Sequence, residues 1–123
     1  MTLQLLNQTF TVCQLNHISD ADLSVPFTFL ARTDEEISLV CPVQSCPSGA
    51  LNRQDGWKCL RIAGVLDFSL IGILSKISTI LAENQIGIFA VSTYNTDYIL
   101  VKKENFDRAM EVLSAAGYEV EGL

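Results

Sequence analysis

The sequence has few of the residues on which catalytic and metal sites depend. Its only histidine is His17, and its four cysteines include no Cys-x-x-Cys pair. A zinc site needs several close nitrogen or sulfur ligands, and a nucleophile needs a neighbouring base. The loop AGVLDFS, before the first predicted helix, has no arginine and no run of glycines to bind phosphate. We therefore expect no enzymatic activity, no metal and no cofactor, with the cysteines as small apolar side chains.

Positive charge and long apolar runs are also scarce. Lys and Arg total 8 against 14 Asp and Glu, and a net charge of -6 repels the phosphate backbone of nucleic acids. The most apolar run, residues 70–81, contains Lys76 and is much shorter than a bilayer span. The opening MTLQLLNQTF lacks the basic and apolar segments of an export signal. These absences predict no nucleic-acid partner, no membrane insertion and a cytoplasmic location.

The second half of the chain shows a regular alternation of strand and helix patterns. Apolar residues at helical spacing predict a helix over residues 70–81, capped by Asp67 or Ser69 and ended by Asn84 and Gly87. A second helix is predicted over residues 104–116. Strands are predicted at residues 57–62, 86–94, 97–102 and 118–121. The order βαββαβ is that of an α+β, ferredoxin-like fold, an antiparallel four-stranded sheet with two helices on one face.

The first half reads as a reduced copy of the same pattern. Strands are predicted at residues 10–15, 27–33 and 37–41, with a hairpin turn at residues 34–36. Residues 19–25 have room for barely two helical turns, and the segment after Cys41 is too rich in Pro, Gly and polar residues for a helix. We therefore predict a tandem protein with a reduced half at residues 1–55 and a complete domain at residues 56–123.

Three stretches of the second half resemble the ACT domain. They are DFSLIGIL (67–74), LAENQIGIF (81–89) and AVSTYNTDYILV (90–101). Asp67, Gly72 and the Leu81-Ala82-Glu83 run stand where the family pattern has an acidic residue, a glycine and Leu-Ala-Glu. The run Ser92, Thr93, Tyr94 and Asp97 matches the family's Ser-Thr-aromatic, turn, Asp arrangement. The chain looks most like the short bacterial proteins with two ACT domains and the ACT domains of the animal cytosolic arginine sensor.

This resemblance implies a regulatory module that binds a small molecule, usually an amino acid, between two ACT units. An amino acid needs a receiver for its carboxylate and another for its ammonium group. The N–H groups at a helix N-terminus suit an anion, so the backbone of Ile71, Gly72 and Ile73 is the predicted carboxylate receiver. Thr93 and Asp97 are the predicted receivers of the ammonium group or a basic side chain.

Several candidate residues also have a purely structural interpretation. Gly72 could simply allow close packing, and Asp97 could hydrogen-bond the turn backbone. Asp67 could line the mouth of the pocket or act as a helix-start residue. Phe68 and Tyr94 could wall the pocket or pack in the core. Two functions stay open: an amino-acid-binding regulatory protein, expected to be a homodimer, and a dimerising interaction module without a ligand.

Overall fold

The computed structural model describes residues 1–64 and 72–123, which form two compact units. The larger unit consists of Met1–Asn7 and Lys58–Leu123, and the smaller unit of Gln8–Trp57. Two long strands, β1 (Thr2–Leu15) and β4 (Leu51–Ile62), contribute residues to both units. The division into ACT-like halves at residues 1–55 and 56–123 stays a prediction.

The larger unit confirms the α+β, ferredoxin-like order predicted for the second half. After β4 come α1 (Ile73–Glu83), β5 (Ile88–Ser92), β6 (Asp97–Lys102), α2 (Phe106–Ala115) and β7 (Glu119–Gly122). The strands follow the order β7-β1-β4-β6-β5. The first residues of β1 pair in parallel with β7, from Thr2 opposite Glu119 to Leu5 opposite Gly122. β1 thus adds a strand to the expected sheet, between β7 and β4.

The core of the larger unit lies between its sheet and the two helices. Each helix buries two residues four positions apart, which is the spacing of one helix face: Ile77 and Leu81 in α1, Ala109 and Leu113 in α2. They pack with apolar residues of the strands and of the segment before β5. These are Leu3, Leu60, Ile62, Ile86, Ile99 and Val101.

The smaller unit contains a hairpin and two short helical turns. β2 (Phe29–Arg32) pairs antiparallel with β3 (Ile37–Pro42), which pairs antiparallel with the second part of β1. One 3-10 turn, Ile18–Asp20, lies where barely two helical turns were expected, and another, Val43–Ser45, follows β3. The helical residues that the structure describes in this unit are confined to these two 3-10 turns.

The hairpins β2–β3 and β5–β6 share the same loop geometry. In each, a threonine N–H donates to the carbonyl three residues later at 2.9 Å, Thr33 to Glu36 and Thr93 to Thr96. A 3-10 turn directly follows the second strand of both hairpins, Val43–Ser45 in one and Lys103–Asn105 in the other. The strand residues paired at the base of the loops are Arg32 with Ile37 and Ser92 with Asp97. The two loops thus close with the same backbone hydrogen bond, and the predicted repeat stays a prediction.

Several predicted boundaries are corrected by the structure. The N-cap of α1 is Gly72, with a φ of 81°, and it is not Asp67 or Ser69. The helix does end where expected, at Glu83 with Asn84 as C-cap, but the residue with positive φ is Gln85. β4 begins at Leu51, six residues before the predicted strand, because it continues into the smaller unit.

Candidate functional site

The turn between β5 and β6 is built by its threonines. Both the N–H and the Oγ1 of Thr93 donate to the carbonyl of Thr96, each at 2.9 Å. The side chain of Thr96, only 6% exposed, donates from its Oγ1 to the carbonyl of Ile62 at 2.7 Å. Ile62 is the last residue of β4, so this bond holds the turn at the end of β4 from which the chain leads towards α1. Thr96 was not among the predicted site residues.

Asp97 is the first residue of β6 and lies opposite Ser92 on β5. Its carboxylate is half-buried and forms no ion pair and no side-chain hydrogen bond with any residue that the structure describes. The structural interpretation of Asp97 as a hydrogen-bond acceptor for the turn is therefore wrong for this part of the chain, because the threonines make those bonds. A half-buried carboxylate of this kind is suited to a cation or an ammonium group.

Thr93 keeps acceptor capacity in the same hairpin as this carboxylate. Its hydroxyl proton is donated to the Thr96 carbonyl, which leaves the oxygen lone pairs of Thr93 for a donor from outside. Its side chain is exposed, and Asp97 follows it within the same hairpin. The hairpin therefore carries two acceptors for an ammonium group, the Thr93 hydroxyl oxygen and the Asp97 carboxylate.

Gly72 and Ile73 form the start of α1. Gly72 adopts the left-handed conformation, with φ 81° and ψ 0°, and no side chain caps the helix. A Cβ at this position would have no described atom within 4 Å, so positive φ, and not close packing, explains the glycine in the part of the chain described. The first turn of α1 has no acidic residue, which leaves its partial positive charge available to an anion.

The remaining predicted residues divide into one exposed aromatic and four outside the described residues. Tyr94 is 80% exposed, so its alternative role as a core residue is wrong. Asp67, Phe68, Ser69 and Ile71 lie outside the described residues. The structure thus places the turn 93–97 beside the end of β4. Of the predicted carboxylate receiver, it describes only Gly72 and Ile73.

A separate open cavity lies on one face of α1. It measures about 620 Å³, within the size range of small-molecule sites. Its wall contains Ile73 from the predicted site, together with the exposed Lys76 and the hydroxyl of Thr79. The other lining residues are Met1, Ser75, Ile80, Ala116, Gly117 and Tyr118. With one cationic side chain among hydroxyl-bearing and apolar ones, this cavity suits a small acid, and neither Thr93 nor Asp97 contributes to it.

The residues that the structure describes contain neither a metal-binding cluster nor a helix that could span a membrane. No group of three or more His, Cys, Asp or Glu side chains is placed to hold a metal ion there. Among the same residues, neither α1 nor α2 has the length and apolar character that crossing a bilayer requires.

The comparisons with known proteins bear on the larger unit first. Residues 52–115, from β4 to the end of α2, match the family model of the ACT domain. The chain belongs to the ACT domain family. ACT domains are regulatory modules, so the βαββαβ unit with its open turn and uncapped helix start is the regulatory part of this chain. No curated protein matches the chain.

Solved structures share this ACT fold over nearly the whole chain. A protein from Agrobacterium tumefaciens is 29% identical, with a TM-score of 0.87 over 99% of this chain and 92% of that one. A Vibrio cholerae protein, described as of unknown function and a possible transport protein, is 20% identical, with a TM-score of 0.71 over 90% and 85%. A structure of aspartokinase alpha and beta subunits is 16% identical, with a TM-score of 0.64 over 94% and 97%.

Proposed function

We propose that this ACT protein is a cytoplasmic regulatory protein that senses a small amino acid, or a related amine-bearing acid, and has no catalytic activity of its own. The ligand lies at an interface between ACT units. The observation that carries the proposal is the Asp97 carboxylate. It is half-buried, has no partner among the described residues, and is held by the Thr96–Ile62 bond near the end of β4.

In this proposal the two ends of the amino acid are bound by different kinds of group. The backbone of Ile71, Gly72 and Ile73 receives the carboxylate, supported by the uncapped, left-handed start of α1. Asp97 and Thr93 receive the ammonium group or a basic side chain. Asp67, Phe68 and Ser69, which precede the carboxylate receiver in the sequence, complete the proposed site, and the exposed Tyr94 would cover the ligand from the turn or from a second ACT unit.

The first test is thermal unfolding in the presence of each of the twenty amino acids. A ligand at about 100 times its dissociation constant adds roughly 2.7 kcal/mol to the stability of the folded state. We expect a rise in Tm with one amino acid or a small related group. If no amino acid raises Tm, the ligand-free dimerising module becomes the better interpretation.

Two charge-removing variants then locate the ligand. Asp97→Asn keeps the size of the side chain and should weaken binding by roughly 1.5–3 kcal/mol, the scale of a charge-assisted hydrogen bond. Lys76→Gln, in the cavity on α1, should leave the ligand response unchanged. Both variants should retain the Tm of the unliganded protein, because neither side chain has a described ionic partner. The reverse result, with loss of binding only in Lys76→Gln, would move the ligand to the cavity.

A further inference from the structure

The smaller unit brings two thiols into contact. Cys13 is on β1, in a core cluster with Leu15, Leu39 and Cys41, and is only 2% exposed. Cys46, half-buried, packs against that cluster from the connection between β3 and β4. The two sulfur atoms are 4.0 Å apart although the residues are 33 positions apart in sequence. This contact was not predicted, since neither spacing nor motif relates the two cysteines.

Cys46 lies between two hydrogen-bonded turns and outside the strands. It follows the 3-10 turn Val43–Ser45, and its N–H donates to the Val43 carbonyl at 3.1 Å. A second turn closes just after it, with the N–H of Ala50 donating to the Pro47 carbonyl at 3.1 Å. A disulfide needs a sulfur–sulfur distance of about 2.05 Å. Because Cys46 is outside the strands, the remaining approach requires no break in the β1–β3 ladder.

We infer that Cys13 and Cys46 form a reversible intramolecular disulfide when the protein meets a peroxide. The bond would join β1 to the connection between β3 and β4, restraining the smaller unit in a state that depends on oxidation. This is a modification site on a different unit from the proposed amino-acid site, so the two proposals stand or fall separately.

The exposure of the two thiols sets the order of the chemical steps. The more accessible Cys46 sulfur, as thiolate, attacks one oxygen of hydrogen peroxide, the O–O bond breaks, and hydroxide leaves, taking up a proton as water. Cys46 is then a sulfenic acid. The Cys13 sulfur attacks the Cys46 sulfur, its proton goes to the departing hydroxide, and the S–S bond forms with a second water. The two thiols lose two electrons, which reduce one peroxide to two waters.

The environment of Cys13 agrees with its role as the second sulfur to react. Burial, and then the charge of the neighbouring Cys46, raise the pKa of the Cys13 thiol to about 12, so it stays protonated at neutral pH. Conversion of Cys46 to an uncharged sulfenic acid removes the charge that helps to raise the pKa of the Cys13 thiol. The guanidinium of Arg53 lies close enough to both sulfurs to attract negative charge on them.

The other two cysteines provide matched controls. Cys41 belongs to the same core cluster, and burial raises the pKa of its thiol, while a hydrogen bond with Ser45 lowers it in part. Cys59 is fully buried in the larger unit, where its sulfur contacts the Leu60 carbonyl at 3.9 Å. Replacing either by serine leaves the Cys13–Cys46 pair intact.

The test uses the full-length reduced protein and a small excess of hydrogen peroxide. Free thiols counted under denaturing conditions should fall from the sequence total of four to two, and dithiothreitol should restore them. Cys41→Ser and Cys59→Ser should each lose two of three thiols. Cys13→Ser and Cys46→Ser should form no intramolecular disulfide. The oxidised wild-type protein should also unfold at higher urea concentration than its reduced form, a shift that Cys46→Ser should lack.

Three outcomes would overturn the inference. One is a disulfide that persists in Cys46→Ser or is abolished by Cys41→Ser, which would assign the bond to other sulfurs. The second is a disulfide between two chains, seen as a doubled mass on a non-reducing gel. The third is accumulation of sulfinic acid in the wild-type protein without any disulfide. Circular dichroism of each reduced variant separates these results from a failure to fold.

Discussion

Gly72 illustrates how one residue can serve both the fold and the proposed site. Its φ of 81° places it in the left-handed region, where a Cβ costs about 1–2 kcal/mol, and it is the N-cap of α1 without a capping side-chain hydrogen bond. Gly72→Ala should therefore destabilise the protein by about 1–2 kcal/mol in urea unfolding. Gly87→Ala is the matched control: it has equal space around a Cβ among the described residues but no positive φ, and should change stability by much less.

Cys59 makes stability depend on pH in the alkaline range. Burial raises the pKa of its thiol from an ordinary 9.0 to about 12. Above pH 9 the unfolded chain loses this proton while the folded chain keeps it. The contribution of the Cys59 thiol to the free energy of unfolding is therefore fully present below pH 9 and is lost as pH rises towards 12. The slope from this group alone is on the order of 1.4 kcal/mol per pH unit.

The measurement is urea unfolding across this range with reductant present. Cys59→Ala should show a shallower loss of stability with pH than the wild-type protein. The control Ile86→Val removes a buried methyl group but no titrating group, and should keep the wild-type slope. Equal slopes in all three proteins would mean that the Cys59 thiol ionises in the folded state as readily as in the unfolded chain.

At the scale of elements, the side-chain hydrogen bond from Thr96 to Ile62 ties the turn of the β5–β6 hairpin to the end of β4, beside the pairing of β4 with β6. Thr96→Val keeps the shape and removes the donor, leaving a buried carbonyl without this partner. The expected cost is about 1–3 kcal/mol in the free energy of unfolding. Because the bond also positions the turn that carries Asp97, the amino-acid response should weaken.

Thr79→Val is the matched change for this test. Thr79 is exposed on α1, makes no hydrogen bond through its side chain among the described residues, and should tolerate valine with little loss of stability. If Thr96→Val and Thr79→Val cost the same, the Thr96–Ile62 bond does not hold the hairpin in place.

Elements whose sequence pattern agrees with their packing were predicted well. β6 has the predicted bounds, Asp97–Lys102, because a run rich in Tyr, Ile, Leu and Val between polar residues favours a strand. The start of β1 was missed, since Leu3, Leu5 and Leu6 together follow neither the strand nor the helix period of apolar residues. This part of the strand is stabilised by pairing with β7, more than a hundred residues away in sequence. The first part of β4, LNRQDG, was missed because its composition is that of a turn.

The candidate site was predictable to the extent that it follows from topology. In a βαββαβ unit the end of the first strand and the hairpin turn lie at the same end of the sheet, as the Thr96–Ile62 bond shows for this chain. The contribution of Thr96 could not be predicted, because a threonine in a turn is normally exposed and only the fold makes this one buried. The contact between Cys13 and Cys46 likewise depends on tertiary structure alone.

At the scale of the whole molecule, the strand order leaves β5 at one edge of the larger unit. Among the described residues β5 pairs only with β6, and three of its five residues, Ile88, Phe89 and Val91, are half-buried apolar side chains. An edge strand without charged residues favours pairing with another strand. An interface between ACT units also suits the proposed amino-acid site, whose described receivers lie at the start of α1 and on the β5–β6 hairpin.

We therefore predict a homodimer in solution. Sedimentation at micromolar concentration should report about twice the chain mass of 13.5 kDa. Ala90→Lys, which adds a charge in the middle of β5 at an exposed position, should raise the dissociation constant of the dimer, since charged edges disfavour strand pairing. Ala115→Lys, at the exposed end of α2, adds the same charge away from that edge and should leave the dimer intact. A wild-type monomer at these concentrations would contradict the prediction, and equal behaviour of the two lysine variants would place the interface away from β5.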